Sequence, residues 1–275
     1  MTKEIPVLFY DSAKQKNAAI DELIQLVRYK DLVMHLVRRD VTSRYKRSVL
    51  GVAWTMLHPL GMMLILSVVF SQVFSTTVGY AAYILSGLLV WNFFAQSSVS
   101  GINSLVWGGD LFRRIYFPRS VFALAAVGTG IVNLLLALVP FVVVALFLEI
   151  YPTINFFWVV IPILLISMFT LGLSLIIASA GIRFPDIVEM YNVILLAWMY
   201  LTPIIYPKEI IPEQFLPFME FNPMSHLVAL FRQPIFDGVP LDPQLLGVCT
   251  MISVVTLFAG WMLFSRMADE IAYSS

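Results

Sequence analysis

From Ser48 to Gly109 the chain carries no lysine, arginine, aspartate or glutamate. A helix that crosses a bilayer needs ~20 mostly apolar residues. This run is long enough for two, divided by the polar knot Ser71–Gly79 (SQVFSTTVG). Further uncharged stretches follow, and the sequence predicts six spans, at about 51–74, 81–106, 120–148, 155–182, 187–206 and 244–265. Composition agrees: 60% of the 275 residues are hydrophobic and 12% are charged, against ~45–50% and roughly 25% in soluble domains. One globular core cannot hide that much apolar surface. The balance of 17 basic and 17 acidic residues gives no footprint for nucleic acid. A single cysteine, Cys249, excludes an intrachain disulfide and a cysteine metal cluster.

Orientation follows from the flanks, because cytoplasmic loops are enriched in Lys and Arg. With the N-terminus inside, the cytoplasmic pieces are 1–50, 107–119, 183–186 and 265–275. All the Lys and Arg except Lys208 and Arg232 then fall on that side. Both termini are therefore expected in the cytoplasm, around a permease domain of residues 51–265 and a tail of 266–275. The first 20 residues lack the apolar core of a signal peptide, so the first span is expected to direct insertion.

The span interiors hold almost no ionisable groups, which argues against an ion-driven carrier. There is no GxxxxGK[ST] phosphate loop, no HExxH and no Ser-His-Asp arrangement. The chain is expected to hydrolyse no ATP by itself, to hold no metal and to have no catalytic residue. No repeat relates the two halves, which disfavours a repeat-built secondary carrier.

Four features outside the spans carry more information. Residues Ile20–Val41 place Leu23, Val27, Leu36 and Val37 at roughly helical spacing among charged neighbours. This reads as an amphipathic helix in the membrane interface, or as a basic anchor that only sets topology. The second feature runs from Arg39 to Pro59 and matches R-D-x(3)-R-Y-x(2)-S-x-L-G-x(2)-W-x(4)-P, through Arg39, Asp40, Arg44, Tyr45, Ser48, Leu50, Gly51, Trp54 and Pro59. Pro59 can kink a helix low in the membrane. The third is the loop WGGDLFRRIYFPRS, Trp107–Ser120, with Asp110 as an N-cap and an aromatic tip at Phe112, Tyr116 and Phe117. The fourth comprises the RFPD turn Arg183–Asp186, the segment Tyr200–Pro207 and Phe221–Met224. There Pro203 weakens the top of span five, Pro207 stops it, and Asn222-Pro223 forms a cap and first-turn pair. The segment Lys208–Phe236 is apolar but interrupted by four prolines, so short re-entrant or interfacial helices are expected.

These motifs together resemble ABC-2 type transporter permeases of the polysaccharide-export branch: O-antigen (Wzm-type), capsule and teichoic-acid exporters. The resemblance runs from about Tyr29 to Ala272. It implies an all-α integral membrane protein with six transmembrane helices, an amphipathic interface helix, a short cytoplasmic coupling helix and re-entrant outer helices between spans five and six. It also implies a homodimer in the bacterial cytoplasmic membrane, served by two copies of a separate ATP-binding subunit that binds the ATP and Mg. Contact with that subunit falls to Asp110, Phe112, Arg113, Arg114, Tyr116, Arg119, Arg183 and Asp186. The substrate would be a lipid-linked polysaccharide, usually on undecaprenyl diphosphate, whose diphosphate Arg38, Arg39, Arg44, Lys46 and Arg47 could receive. Positive-inside topology alone also accounts for those bases.

A glycan path is expected along two helical faces: Met56, Met63, Ser67, Phe70 and Phe74 on span one, and Tyr191, Leu195, Trp198 and Thr202 on span five. Neutral polar residues such as Asn92, Gln96, Asn103 and Asn192 would join them, since weak repeated sites suit conduction. Two other readings stay open. One is an ABC-2 permease for a different cargo, such as a lipid or a drug. The other is a membrane enzyme of envelope assembly, for which Asp40, Asp110, Asp186 and Glu189 are the inner carboxylates near membrane level.

Overall fold

The computed structural model describes residues 26, 28–45, 51, 53–70, 79–108 and 118–274. These residues form helices joined by short turns, with no strand among them. In chain order the helices are α1 (Lys30–Tyr45), α2 (Ala53–Phe70), α3 (Tyr80–Val106), α4 (Ser120–Phe147), α5 (Val160–Arg183), α6 (Asp186–Tyr200), α7 (Leu216–Glu220), α8 (Pro223–Arg232) and α9 (Pro243–Ser274). A 3-10 turn, Ile154–Val159, feeds straight into α5, and a π-helical turn, Gln233–Asp237, ends α8.

Among the described residues, four segments are long and apolar enough to cross a membrane: Ala53–Phe70, Ser120–Phe147, Ile154–Arg183 and Pro243–Met267. Residues without charge satisfy their backbone inside their own helix, which is what a bilayer demands. α3 has 27 residues, about 40 Å at 1.5 Å per residue, but Asn92, Gln96, Ser97, Ser98, Ser100 and Asn103 dilute its hydrophobicity. It takes the centre instead. α3 packs on α2, α4, α5, α6 and α8, and Ala82, Ile84, Leu85, Val90 and Phe94 are sealed from outside.

The fifth expected span is corrected. Helix α6 stops at Tyr200 after 15 residues, about 22 Å, and residues 201–206 turn irregularly. A proline restricts the residue before it away from helical geometry, so Pro203 already disfavours helix at Thr202. The Thr202 hydroxyl donates back to the Trp198 carbonyl at 2.8 Å, closing the last turn. Helix α9 continues unbroken from Pro243 to Ser274, taking in residues on both sides of position 265.

One end of the bundle gathers the C-terminal part of α3, the start of α4, the end of α5 and the later part of α9, around Leu105, Ala123, Leu175 and Phe264. Here α1 lies against α4, with Leu36 buried on Val121 and Ala125. The apolar face expected in the acyl boundary is thus partly covered by the protein itself, while Met34 stays exposed. The long contact between α5 and α9 depends on two glycines. A Cβ on Gly260 would collide with the Gly172 carbonyl oxygen, and small residues are what let membrane helices meet backbone to backbone. The outer flank of α9, with Val254, Phe258 and Leu263, is apolar and open.

Candidate functional site

At the other end of the bundle, the broken segment after α6 leaves carbonyls without helical partners. Backbone of this kind survives at depth only where protein or a water-filled cavity supports it. Here side chains supply the donors. The Tyr80 hydroxyl donates to the Ile205 carbonyl at 2.8 Å and the Tyr83 hydroxyl to the Tyr206 carbonyl at 3.2 Å. Asn222 Nδ2 donates to the Leu201 carbonyl at 3.0 Å. Arg232 takes the rest: Nη1 donates to the Pro203 carbonyl at 2.7 Å and Nη2 to the Ile204 carbonyl at 3.0 Å. The same guanidinium donates to Ser86 Oγ and to the Tyr83 carbonyl, and its carbon sits 3.6 Å from the centre of the Tyr83 ring. Arg232 is only 6% exposed. A planar fork of five donors suits such a set of acceptors.

Asn222 and Pro223 do what a cap pair should: Asn222 Oδ1 accepts from the Met224 amide at 3.0 Å and Pro223 opens α8. The same Oδ1 accepts from Trp198 Nε1 at 2.8 Å, tying the end of α6 to α8. The Trp198 ring stands edge-on to Phe94 at 5.3 Å and contacts Trp91 and Phe169. Lower on α6, the Tyr191 hydroxyl donates to Ser98 Oγ at 2.8 Å. Tyr191, Leu195 and Thr202 are buried. The face of α6 expected to line a path therefore turns into the chain's own interior. Its open face carries Met190, Asn192, Val193 and Leu196.

α2 behaves alike. Pro59 and Met63 are buried, Met56 and Phe70 are partly covered, and Leu64, Ile65, Val68 and Val69 are exposed. The helix runs through Pro59 without a break. Phe74 lies outside the described residues.

Between α2 and α6, α3 shows an open strip. Asn92, Gln96, Val99, Ser100 and Asn103 follow one another at helical spacing, and Gln96 and Ser100 are exposed. Pro59 and Trp54 of α2 border this strip on one flank. Tyr191 and Trp198 of α6, the first bonded to Ser98 and the second edge-on to Trp91, border it on the other. Of the neutral polar residues singled out in the sequence, Asn92, Gln96 and Asn103 lie along this side of α3, Asn192 lies on the open face of α6, and the aromatic ones stand behind.

At the α1 end, Arg38 and Arg39 are exposed, and Arg39 pairs with Asp40 at 2.8 Å. Arg183, Phe184 and Asp186 form an exposed turn between α5 and α6. Arg119 is half-buried at the start of α4, where burial lowers its pKa. Asp110, Phe112, Arg113, Arg114, Tyr116, Lys46 and Arg47 lie outside the described residues, as does the side chain of Arg44. Near Arg232, burial pushes the Asp237 carboxyl up while the guanidinium pulls it down. Among the described residues no group of His, Cys, Asp and Glu is arranged to hold a metal ion.

The arginine and the two tyrosines of this lattice were missed in the sequence, where Arg232 counted only as an outer charge. The signal was available: an arginine inside an apolar stretch must find hydrogen-bond acceptors, and the broken segment after α6 holds carbonyls that need donors.

Long uncharged helices around a polar-striped centre, with a broken segment sealed by the chain's own donors, define a multi-pass helical membrane protein. The chain belongs to the ABC-2 type transporter family, whose model matches residues 31–236. It is similar to the O-antigen export system permease protein RfbA of Klebsiella pneumoniae, 27% identical over 246 residues, 88% of this chain and 94% of the relative. The RfbA of Myxococcus xanthus is 28% identical over 253 residues, 91% and 97% of the two chains. The polysialic acid transport protein KpsM of Escherichia coli is 24% identical over 250 residues, 90% and 96%.

Proposed function

We propose that this chain is the transmembrane half of an ABC exporter that carries a lipid-linked, O-antigen-like polysaccharide across the bacterial cytoplasmic membrane. The observation that carries the reading is the open strip of α3. Amide and hydroxyl side chains midway along a membrane helix face a bundle interior or a water-filled cavity. Two copies of this chain, strip facing strip, enclose such a path.

On this reading α2, α3, α4, the 154–183 segment, α6 with its non-helical extension, and α9 are the six spans, with both termini in the cytoplasm. Asn92, Gln96, Ser100 and Asn103 line the path together with the open face of α6. Met63, Tyr191, Trp198 and Thr202 support that wall from behind, with Phe70 at the end of α2, and Phe74 joins the path on the sequence reading alone. Hydroxyl-rich polymer slides past neutral, weak partners without being trapped. Arg38, Arg39, Arg44, Lys46 and Arg47 receive the lipid diphosphate at the inner headgroup level. Two ATP-binding subunits dock on residues 110–119 and on the Arg183–Asp186 turn, and they bind the ATP and Mg. Their closure moves α6, whose upper end is held by Pro203, Pro207, Asn222 and Pro223, against α2, where Pro59 removes one backbone donor and leaves the helix free to bend.

The test is co-purification through a tag on this chain, expressed with the ATP-binding protein encoded beside it. A stable complex is expected, with ATPase activity or recovery that collapses in Arg113→Glu/Arg114→Glu. A chain that purifies alone and ignores that change contradicts the reading.

A further inference from the structure

Beside the open strip, a recess of about 310 Å³ runs inward between the first turns of α2 and the middles of α3 and α4. Its walls are unusual for the middle of an apolar bundle. Asn92, Gln96 and Ser97 come from α3, Asn133 from α4, and Trp54 and His58 from α2. Asn92 Nδ2 and Ser97 Oγ are buried with no hydrogen-bond partner, and Ser97 is 2% exposed. A buried donor without a partner costs about 1–3 kcal/mol, so a small turn of either side chain toward an acceptor in the recess is favoured. No lysine, arginine, aspartate or glutamate is among the described lining residues. Among the described lining residues His58 is the one side chain that can carry a positive charge, so a neutral ligand matches the amides best, whereas an acyl chain would leave them unpaired.

We propose that this recess binds one uncharged, hydroxyl-bearing ring, such as a neutral pyranose unit. The Trp54 indole, 57% exposed at the recess, offers a flat apolar face for the ring's C–H surface. The amides of Asn92 and Gln96 and the Ser97 hydroxyl offer the donors and acceptors that ring hydroxyls need. Its size lies at the lower end of ligand pockets, ~300–1,000 Å³, and accommodates one ring rather than a chain. The recess opens beside Asn92 and Gln96 of the strip, so a sugar leaving the path can enter it. That source rests on the export reading, whereas the recess's chemistry does not.

The full chain in lipid nanodiscs, with and without its ATP-binding partner, is titrated with methyl glucopyranoside and followed by ligand-observed NMR. Saturable binding in both preparations is expected. Trp54→Ala, at an exposed position, and Asn92→Leu, which keeps the branched side-chain shape but removes the amide, are each expected to weaken it about threefold to tenfold, the equivalent of one lost neutral contact. The methyl glycoside of sialic acid, which carries a carboxylate, is expected to bind more weakly than the neutral ring. Absence of saturable binding means that the recess holds only water and overturns the proposal. Binding that both variants leave unchanged places the ring elsewhere and overturns it too. Failure of the ATP-binding partner to associate, with sugar binding intact, removes the export reading and leaves the recess standing.

Discussion

Arg232 Nη1 donates to the Pro203 carbonyl at 2.7 Å, bridging 29 residues of sequence. The bond joins the end of α8 to the point where α6 has already unravelled. It also explains Gly87 on α3, where a Cβ would stand 2.6 Å from Arg232 Nη2. The guanidinium occupies the space that the missing side chain leaves.

Replacing Arg232 with methionine keeps apolar volume but strips four acceptors, Ser86 Oγ and the carbonyls of Tyr83, Pro203 and Ile204, of their shared donor. Each buried unsatisfied group costs about 1–3 kcal/mol, so a loss of at least ~3 kcal/mol is expected. Thermal unfolding in nanodiscs should show a large drop in midpoint, with Arg232→Lys intermediate because lysine offers three donors instead of five. A midpoint equal to the wild type in both variants would remove the lattice from the account.

The crossing of α5 and α9 predicts a different sensitivity. Gly260→Leu drives a side chain into the backbone of Gly172, and overpacking costs about 1–3 kcal/mol or more. Gly247, with open space around its Cβ position, is the control: Gly247→Ala should be neutral or mildly stabilising, since alanine is the better helix former. The two variants compared by unfolding in the same lipid decide it.

The ties of α6 are graded. Tyr191→Phe removes one hydrogen bond, to Ser98, worth about 1 kcal/mol. Asn222→Ala removes the acceptor of Trp198 Nε1, the donor to Leu201 and the cap of α8 together, and a loss near 2 kcal/mol or more is expected. If Tyr191→Phe proved the more damaging of the two in unfolding experiments, the assignment of Asn222 as the main anchor would be wrong.

Much of this arrangement was written in the sequence. The uncharged runs marked α2 to α5 and α9, because charge is excluded from a bilayer and its absence is easy to read. The Asn222-Pro223 start of α8 was legible because capping is local chemistry. The end of α6 was placed too late: Ile204, Ile205 and Tyr206 look like continued span, and only the donors of Arg232, Tyr80 and Tyr83 show how the chain can leave the helix there. The faces of α2 and α6 were expected to line a path from helical spacing, which identifies which residues share a side but not what that side meets. Tyr191 and Trp198 turn inward because α3 offers Ser98, Trp91 and Phe94 as partners.

The open strip of α3 makes a solvent prediction. In a Cys249→Ser background, which removes the buried native thiol, single cysteines at Gln96 and Ser100 should react with a water-soluble maleimide in intact membranes. Cysteines at Val254 and Phe258 on the open apolar flank of α9 should not. Equal protection of all four would mean that no water reaches the strip.

The most direct test of the export account is genetic and chemical at once. The gene for this chain is deleted in its own bacterium, and both surface polysaccharide and intracellular lipid-linked glycan are quantified. The account predicts that surface polymer disappears, that glycan on its lipid carrier accumulates inside, and that the wild-type chain restores both while Arg113→Glu/Arg114→Glu does not. Normal surface polymer with no intracellular accumulation would contradict it.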